Sequence, residues 1–276
     1  MKSMTRILHL ASMILLANQG IIQSHADGLP PVRIMPLGDS ITQGCCSGTS
    51  VEGGYRTRLY NLLSGAGYTV DYVGTQTDAN NPALPDVNHQ GMPGLQIQGL
   101  RSSLPIWTKS VEDPDVILLH AGTNDFTAGA SVSQVQDRLK DLIGDLSELR
   151  PHAKILVASL IPRTDTPTRQ ANQAAFAAAL PQLVSDQVAL GRKVYFVDLH
   201  AALDPGDLAE GIHPTITGYE KMADAWFPAI TNVINPLGSA DPPAIAGVEA
   251  RVDLNHVSVK FSKPVKDADA VASNFN

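Results

Sequence analysis

The sequence is poor in cysteine, in aromatic residues and in charge, and each shortage removes a class of protein. Only two cysteines occur in 276 residues, the neighbours Cys45 and Cys46. They close no long loop, so the chain is not a disulfide-stapled scaffold and must rely on a hydrophobic core. Joined by a trans peptide, their Cα atoms lie about 3.8 Å apart, short of the usual disulfide range of about 4.4 Å and above. They form a strained ring, remain buried thiols or pair with another chain. Aromatic residues make up 5% and charged residues 17% of the sequence, and no run of charge is long enough to be a disordered tail. Lys and Arg number 20 against 27 Asp and Glu, a net charge of −7. That balance argues against nucleic acid or anionic lipid as partner.

What is present is apolar: 43% hydrophobic residues, enough to bury the core of one large domain with some chain left over. Residues 1–26 stand apart. Lys2 and Arg6 precede the mostly apolar stretch Ile7 to Ala17, and Ser24-His25-Ala26 offers small residues at the two positions a signal peptidase inspects. The segment reads as a signal peptide, too short in its apolar part to span a membrane. The expected mature protein is secreted, with no membrane anchor. Without Lys2 and Arg6, 18 of the 20 bases remain against 27 acids, a net charge of −9.

Apolar runs at Val32 to Leu37, Val70 to Val73, Asp115 to His120, Ile155 to Leu160 and Val194 to Leu199 predict five buried strands. Helices fall between them. Tyr55 to Ala66 carries Leu59, Leu62 and Leu63 on one face, and from Ser131 a stripe runs from Val132 to Leu149 before Pro151. Gln170 to Leu190 predicts a helix that Pro181 kinks or splits. A last helix follows His213-Pro214 through about Ile234, with Tyr219, Met222, Ala225 and Trp226 inward. Gln76 to Met92, rich in Asn, Pro and Asp, has no periodicity and predicts a long loop. Alternating strands and helices predict a three-layer α/β/α sandwich around a mostly parallel five-stranded sheet.

Residues 27–238 form the expected main domain. From 239 to 276 the composition changes: Asp241-Pro242-Pro243 reads as a linker, and Val257, Val259 and Phe261 alternate with polar residues as a half-buried strand does. This stretch reads as the first strands of an immunoglobulin-like module or as a β-hairpin tail.

Three distant stretches combine into one constellation: Gly38-Asp39-Ser40, Gly122-Thr123-Asn124-Asp125 and His213-Pro214. They supply a nucleophile, a side-chain amide donor and a base, each just past or near the carboxyl end of a predicted strand, where open α/β sheets place their sites. A serine hydroxyl is a weak nucleophile at neutral pH, so an imidazole must take its proton during attack and return it to the leaving alcohol. The oxyanion of the tetrahedral intermediate needs fixed donors. His120 on its apolar strand reads as a core residue, His89 as a loop residue, and Asp39 and Asp125 as braces for their loops.

The blocks Met35-Pro36-Leu37-Gly38-Asp39-Ser40-Ile41-Thr42, Gly54-Tyr55-Arg56, Gly91-Met92-Pro93-Gly94, Gly122-Thr123-Asn124-Asp125 and Gly211-Ile212-His213-Pro214 with Gly218-Tyr219 resemble those of the SGNH (GDSL-type) hydrolases. Within that superfamily the sequence is most similar to carbohydrate esterase family 3, the acetyl xylan esterases. The resemblance covers about residues 32 to 230. It implies a flavodoxin-like fold, a serine acyl-enzyme mechanism and no cofactor or metal. By position, it makes Ser40 the nucleophile, His213 the base, and the Ser40 and Gly94 N–H groups with the Asn124 amide the oxyanion hole.

The sequence departs from the family in one role. An Asp commonly stands three residues before the base histidine, and here Glu210 occupies that place, with Asp207 three further back. Glu210 is the favoured triad acid, with Asp207 or a Ser40–His213 dyad as alternatives. Pro93 and Leu95 also replace residues commonly Ser and Trp. The resulting expectation is a secreted serine esterase removing short acyl groups, acetyl first, from a polysaccharide such as xylan. A lipase or lysophospholipase of the same superfamily is the alternative enzyme, and a catalytically silent carbohydrate-binding or adhesion protein the alternative from another class.

Overall fold

The computed structural model describes residues 30–45, 53–78, 84–234, 245–250 and 257–261, the last two stretches as backbone. The expected signal peptide, residues 1–26, lies outside them. The chain divides into two units, one spanning Pro30–Pro242 and the other holding two short strands near the end of the chain.

In the larger unit seven strands make one sheet: β1 Val32–Gly38, β2 Val70–Tyr72, β3 Gln76–Thr77, β4 Asn88–Gly91, β5 Val116–His120, β6 Lys154–Ala158 and β7 Val194–Val197. The order is β3-β4-β1-β5-β6-β7, with β2 also paired to β1, and every pairing is parallel except β3 with β4. The five strands expected from apolar runs are β2-β1-β5-β6-β7, the 2-1-3-4-5 order of flavodoxin-like sheets. The order reverses between β1 and β5, so the crevice for a ligand opens at their carboxyl ends.

Both faces of the sheet are covered, which is why β1, β5, β6 and β7 are largely apolar. Met35 and Leu37 of β1, Ile117 and Leu119 of β5, and Ile155 and Val157 of β6 enter one core with helices α3 (Ile97–Trp107), α5 (Val132–Leu149) and α6 (Pro167–Ala189). The alternate residues Val32, Ile34, Val116, Leu118, Leu156 and Ala158 enter a second core with α2 (Arg56–Gly65) and α7 (Ile216–Thr231). The period of two thus divides each strand between two helical layers. Trp107 anchors the first core and Trp226 the second, both fully buried.

Local chemistry starts and stops these helices. Ser131 caps α5 in a capping box, accepting from Gln134 N at 3.3 Å while Gln134 Oε1 accepts from Ser131 N at 2.9 Å. Thr166 caps α6, whose first residue is Pro167. Of the kink or split expected at Pro181, the split does not occur: α6 runs through it as one helix, with Phe176, Leu180, Leu183 and Val184 buried on both sides of the proline. Core packing outweighs the lost hydrogen bond. In α7, Tyr219, Met222 and Trp226 are buried as expected, whereas Ala225 is half-buried.

The stretch from Gln76 to Met92 is not wholly a loop, because β3 and β4 add an antiparallel pair to the sheet. Beside the apolar Leu84 it buries the polar His89 and Gln90, and Gln90 Oε1 accepts from Thr75 N at 2.8 Å and from Thr75 Oγ1 at 3.1 Å. His89, expected in a loop, is instead buried on β4 against Asp78. Its imidazole is held below the ordinary histidine range by burial and by the charge of Arg56.

In the smaller unit β8 (Ile245–Ala250) and β9 (Val257–Phe261) pair antiparallel, with an irregularity between Ile245 and Gly247. The rest of the region read as linker and immunoglobulin-like start lies outside the described residues.

Candidate active site

Three segments converge at the switch point because β1 stands between β4 and β5. Gly38, the last residue of β1, is in register with Gly91 on one side and with His120 on the other. A side chain at Gly38 would bring its Cβ within 2.3 Å of His120 O and of Thr42 Oγ1. Only glycine lets the chain turn there. Asp39 then caps the short helix α1 (Ser40–Gln43), its Oδ1 accepting from Ile41 N at 3.0 Å, and Ser40 is the first helical residue.

Ser40 Oγ lies 2.8 Å from His213 Nε2. The other ring nitrogen, Nδ1, is hydrogen-bonded to Glu210 Oε1, and the same oxygen accepts from the His213 backbone N–H at 3.0 Å. An ionised carboxylate only accepts, so Nδ1 carries the proton and Nε2 presents its lone pair to the serine O–H. The Glu210 side chain is 44% exposed and that of His213 15%, so the acid faces solvent while the imidazole sits against the protein.

Asp207, the other carboxylate considered, is turned elsewhere. Its Oδ2 accepts from Lys221 Nζ at 2.7 Å and from Asp204 N at 2.7 Å, closing the 3-10 turn Pro205–Asp207. Burial raises and the lysine lowers its pKa, with a net position below the usual carboxylate value. It supports the loop that carries Glu210 and His213 rather than the imidazole.

The Asn124 amide comes from α4 (Thr123–Thr127), which follows β5. Its Nδ2 donates to Leu95 O at 3.1 Å and lies 3.4 Å from Asp39 Oδ2. It therefore sits between the residue after Gly94 and the residue before Ser40. Gly94 adopts φ +77°, a conformation that favours glycine, and no described group accepts from its N–H. Asp39 is fully buried, and burial pushes its carboxyl up to about 6 despite the Ile41 N–H and the nearby His213.

Several buried groups support the site. Arg163, fully buried after β6, is held by both oxygens of Asp165 at 2.7 Å and donates to Thr123 O at 3.3 Å and Thr127 Oγ1 at 3.3 Å, bracing α4. Its guanidinium lowers the Asp165 carboxyl to about 2. Arg56, also buried, pairs with Asp78 and donates to Gln43 O at 3.1 Å behind α1. His120 is buried in the core, its Nε2 accepting from Ile161 N at 3.4 Å, and burial holds it down to about 4. Cys45, just past α1, is disulfide-bonded and not a free thiol, and Cys46 lies outside the described residues. Among the described residues no group of three or more His, Cys, Asp and Glu side chains is placed to hold a metal ion. No helix among them is long and apolar enough to cross a membrane.

Comparison with known proteins bears on this arrangement. The model of the GDSL-like Lipase/Acylhydrolase family matches residues 37–221. A multidomain esterase of Ruminococcus flavefaciens is 32% identical over 226 residues, covering 72% of this chain but only 28% of that protein. The chain thus spans little more than a quarter of that relative. Among solved structures, a family 3 carbohydrate esterase of Clostridium thermocellum is 32% identical with a TM-score of 0.63, covering 72% of this chain and 94% of its own. A family 3 carbohydrate esterase of Talaromyces cellulolyticus is 25% identical with a TM-score of 0.63, over 73% of this chain and 97% of its own.

Proposed function

The chain belongs to the GDSL-like lipase/acylhydrolase family, as a carboxylic ester hydrolase close to carbohydrate esterase family 3, and from that premise we propose that it removes acetyl groups from a polysaccharide such as xylan. The observation that carries the reading is the chain of contacts from Ser40 Oγ to His213 Nε2 at 2.8 Å and from His213 Nδ1 to Glu210, beside the Asn124 amide.

The proposed chemistry follows from those contacts. His213 Nε2 takes the proton of Ser40 as Oγ attacks the ester carbonyl carbon, and the carbonyl π pair moves to oxygen. The Ser40 and Gly94 N–H groups and the Asn124 amide receive that oxyanion, and the charge of Glu210 favours the imidazolium formed beside it. As the intermediate collapses, the sugar oxygen leaves with the proton from Nε2, and the acyl group stays on Ser40. Water, deprotonated by the same nitrogen, then attacks the acyl-enzyme, releases acetate and restores Ser40. In this second half Nε2 hands the water's proton to Ser40 Oγ, so each half-reaction returns the base to its starting state. The features of residues 1–26, with Lys2 and Arg6 ahead of an apolar stretch, support export to where such polymers lie.

Acetate release from a panel of acetylated polysaccharides, beside 4-nitrophenyl esters of increasing chain length, tests the proposal. Release from acetylated xylan and a rate that falls from acetyl to octanoyl are expected. Faster turnover of the octanoyl ester would replace it with a lipase-type function.

A further inference from the structure

The helix α3 has no cap of its own. Its N-cap residue, Gln96, makes no side-chain capping bond, and the N–H of the first helical residue, Ile97, donates instead to Asp125 Oδ2 at 2.9 Å, from 28 residues further along the chain. The neighbouring Asn124 holds the same loop at Leu95 O. Asn124 and Asp125 therefore grip residues 95–97, immediately after Gly94, at two points.

The grip has a third member. Asp125 is fully buried, and its Oδ1 accepts from Arg138 Nη1 of α5 at 2.6 Å. The same nitrogen lies 3.1 Å from Gln96 Oε1. One guanidinium thus ties α5 to both segments that carry the candidate oxyanion donors, and it gives the buried Asp125 a hydrogen-bonded partner in the interior. The Arg138 side chain is 32% exposed, yet it contacts no group of the Ser40–His213–Glu210 relay.

We infer that Arg138 is a positioning residue for the oxyanion hole, acting through Asp125 and Gln96 to keep the Gly94 N–H and the Asn124 amide aimed at one point. The inference rests on the reading of Gly94 and Asn124 as oxyanion donors. The physical reason is tolerance: such donors act at about 2.7–3.1 Å from the developing charge, so a small displacement weakens them in the transition state while leaving ground-state binding almost unchanged. A salt bridge that served stability alone would shift the unfolding midpoint without separating kcat from KM.

The test compares Arg138→Ala, Arg138→Lys, Asn124→Ala and the Arg138→Ala/Asn124→Ala double variant of the full chain on 4-nitrophenyl acetate, assayed well below each unfolding midpoint. Arg138→Ala should lower kcat about tenfold with KM within about twofold, and Arg138→Lys should recover most of the loss by restoring the charge. In the double variant the combined loss should be at least about threefold smaller than the product of the single losses, because both changes act on one device. If Arg138→Ala does not fold, Arg138→Gln replaces it with the same expected outcomes. A normal kcat in the Arg138 variant beside a large loss in Asn124→Ala overturns this inference and leaves the oxyanion reading standing. So does a loss confined to KM, or single losses that multiply fully. A normal kcat in Asn124→Ala overturns the oxyanion reading of that residue and this inference with it.

Discussion

Replacing Glu210 by Gln should cost far less than replacing a buried triad acid, because of where its two hydrogen bonds go. Both the Nδ1–H and the backbone N–H of His213 point at the same oxygen, Oε1. A glutamine turned to present its carbonyl oxygen keeps both bonds, and with them the tautomer that leaves Nε2 free to take the serine proton. What it loses is the negative charge facing the imidazolium of the transition state. Two unit charges about 4 Å apart interact by about 1 kcal/mol in water and about 4 kcal/mol at an effective dielectric of 20. With 44% of the side chain exposed, Glu210 falls between these limits. A loss of about 2 kcal/mol, or roughly 30-fold in kcat, is expected. Glu210→Ala removes the acceptor as well and should cost more, roughly 10² to 10³-fold, while a buried acid whose amide forces the wrong tautomer costs about 10⁴. Steady-state kcat on 4-nitrophenyl acetate at pH 8 checks the order. A Glu210→Gln loss near 10⁴, or no loss, would refute the argument from the shared oxygen.

Asp207→Asn should leave kcat within about twofold while weakening the Lys221 contact, measured in the same assay with thermal unfolding alongside; a loss larger than that of Glu210→Gln would move the acid role to Asp207. Asn124→Ala should lower kcat roughly 10² to 10³-fold with the fold intact by circular dichroism, as loss of an oxyanion donor does; unchanged turnover would remove it from the site. Asp39 gives a pH-dependent outcome. Its folded pKa, about 6 against 3.8 for the free carboxyl, means that ionisation opposes folding, so its contribution worsens as pH rises from about 4 to 6 and stays unfavourable above. Asp39→Asn, which keeps a good N-cap, should therefore raise stability at pH 8 by at most about 3 kcal/mol. The gain should vanish below about pH 4. A lower unfolding midpoint at pH 8, or a difference independent of pH, would contradict that sign.

The parts of the fold that were legible in sequence are those whose side chains obey a period. The apolar strands β1, β5, β6 and β7 were readable because each feeds two cores, and α5 because Val135, Leu139, Leu142, Ile143 and Leu146 share a buried face. The strand Asn88–Gly91 was not, since His89 and Gln90 are buried by pairing with Asp78 and Thr75 and not by hydrophobicity. In α3 the buried Leu100, Leu104 and Trp107 have helical spacing, but Gly99 and Pro105 obscure it. The site's blocks were visible as motifs, and the switch point at β1 and β5 is what brings them together. Asp125 with Arg138 and Arg163 with Asp165 were not, because nothing local marks which of many charges a buried carboxylate or guanidinium will meet.

Labelling of the full chain with a fluorophosphonate, followed by peptide mass spectrometry, tests the central claim most directly. The account predicts a single adduct on the peptide carrying Ser40, with loss of esterase activity in step with labelling, much slower labelling of His213→Ala and none of Ser40→Ala. An adduct on another residue, or esterase activity that survives in Ser40→Ala, would contradict it.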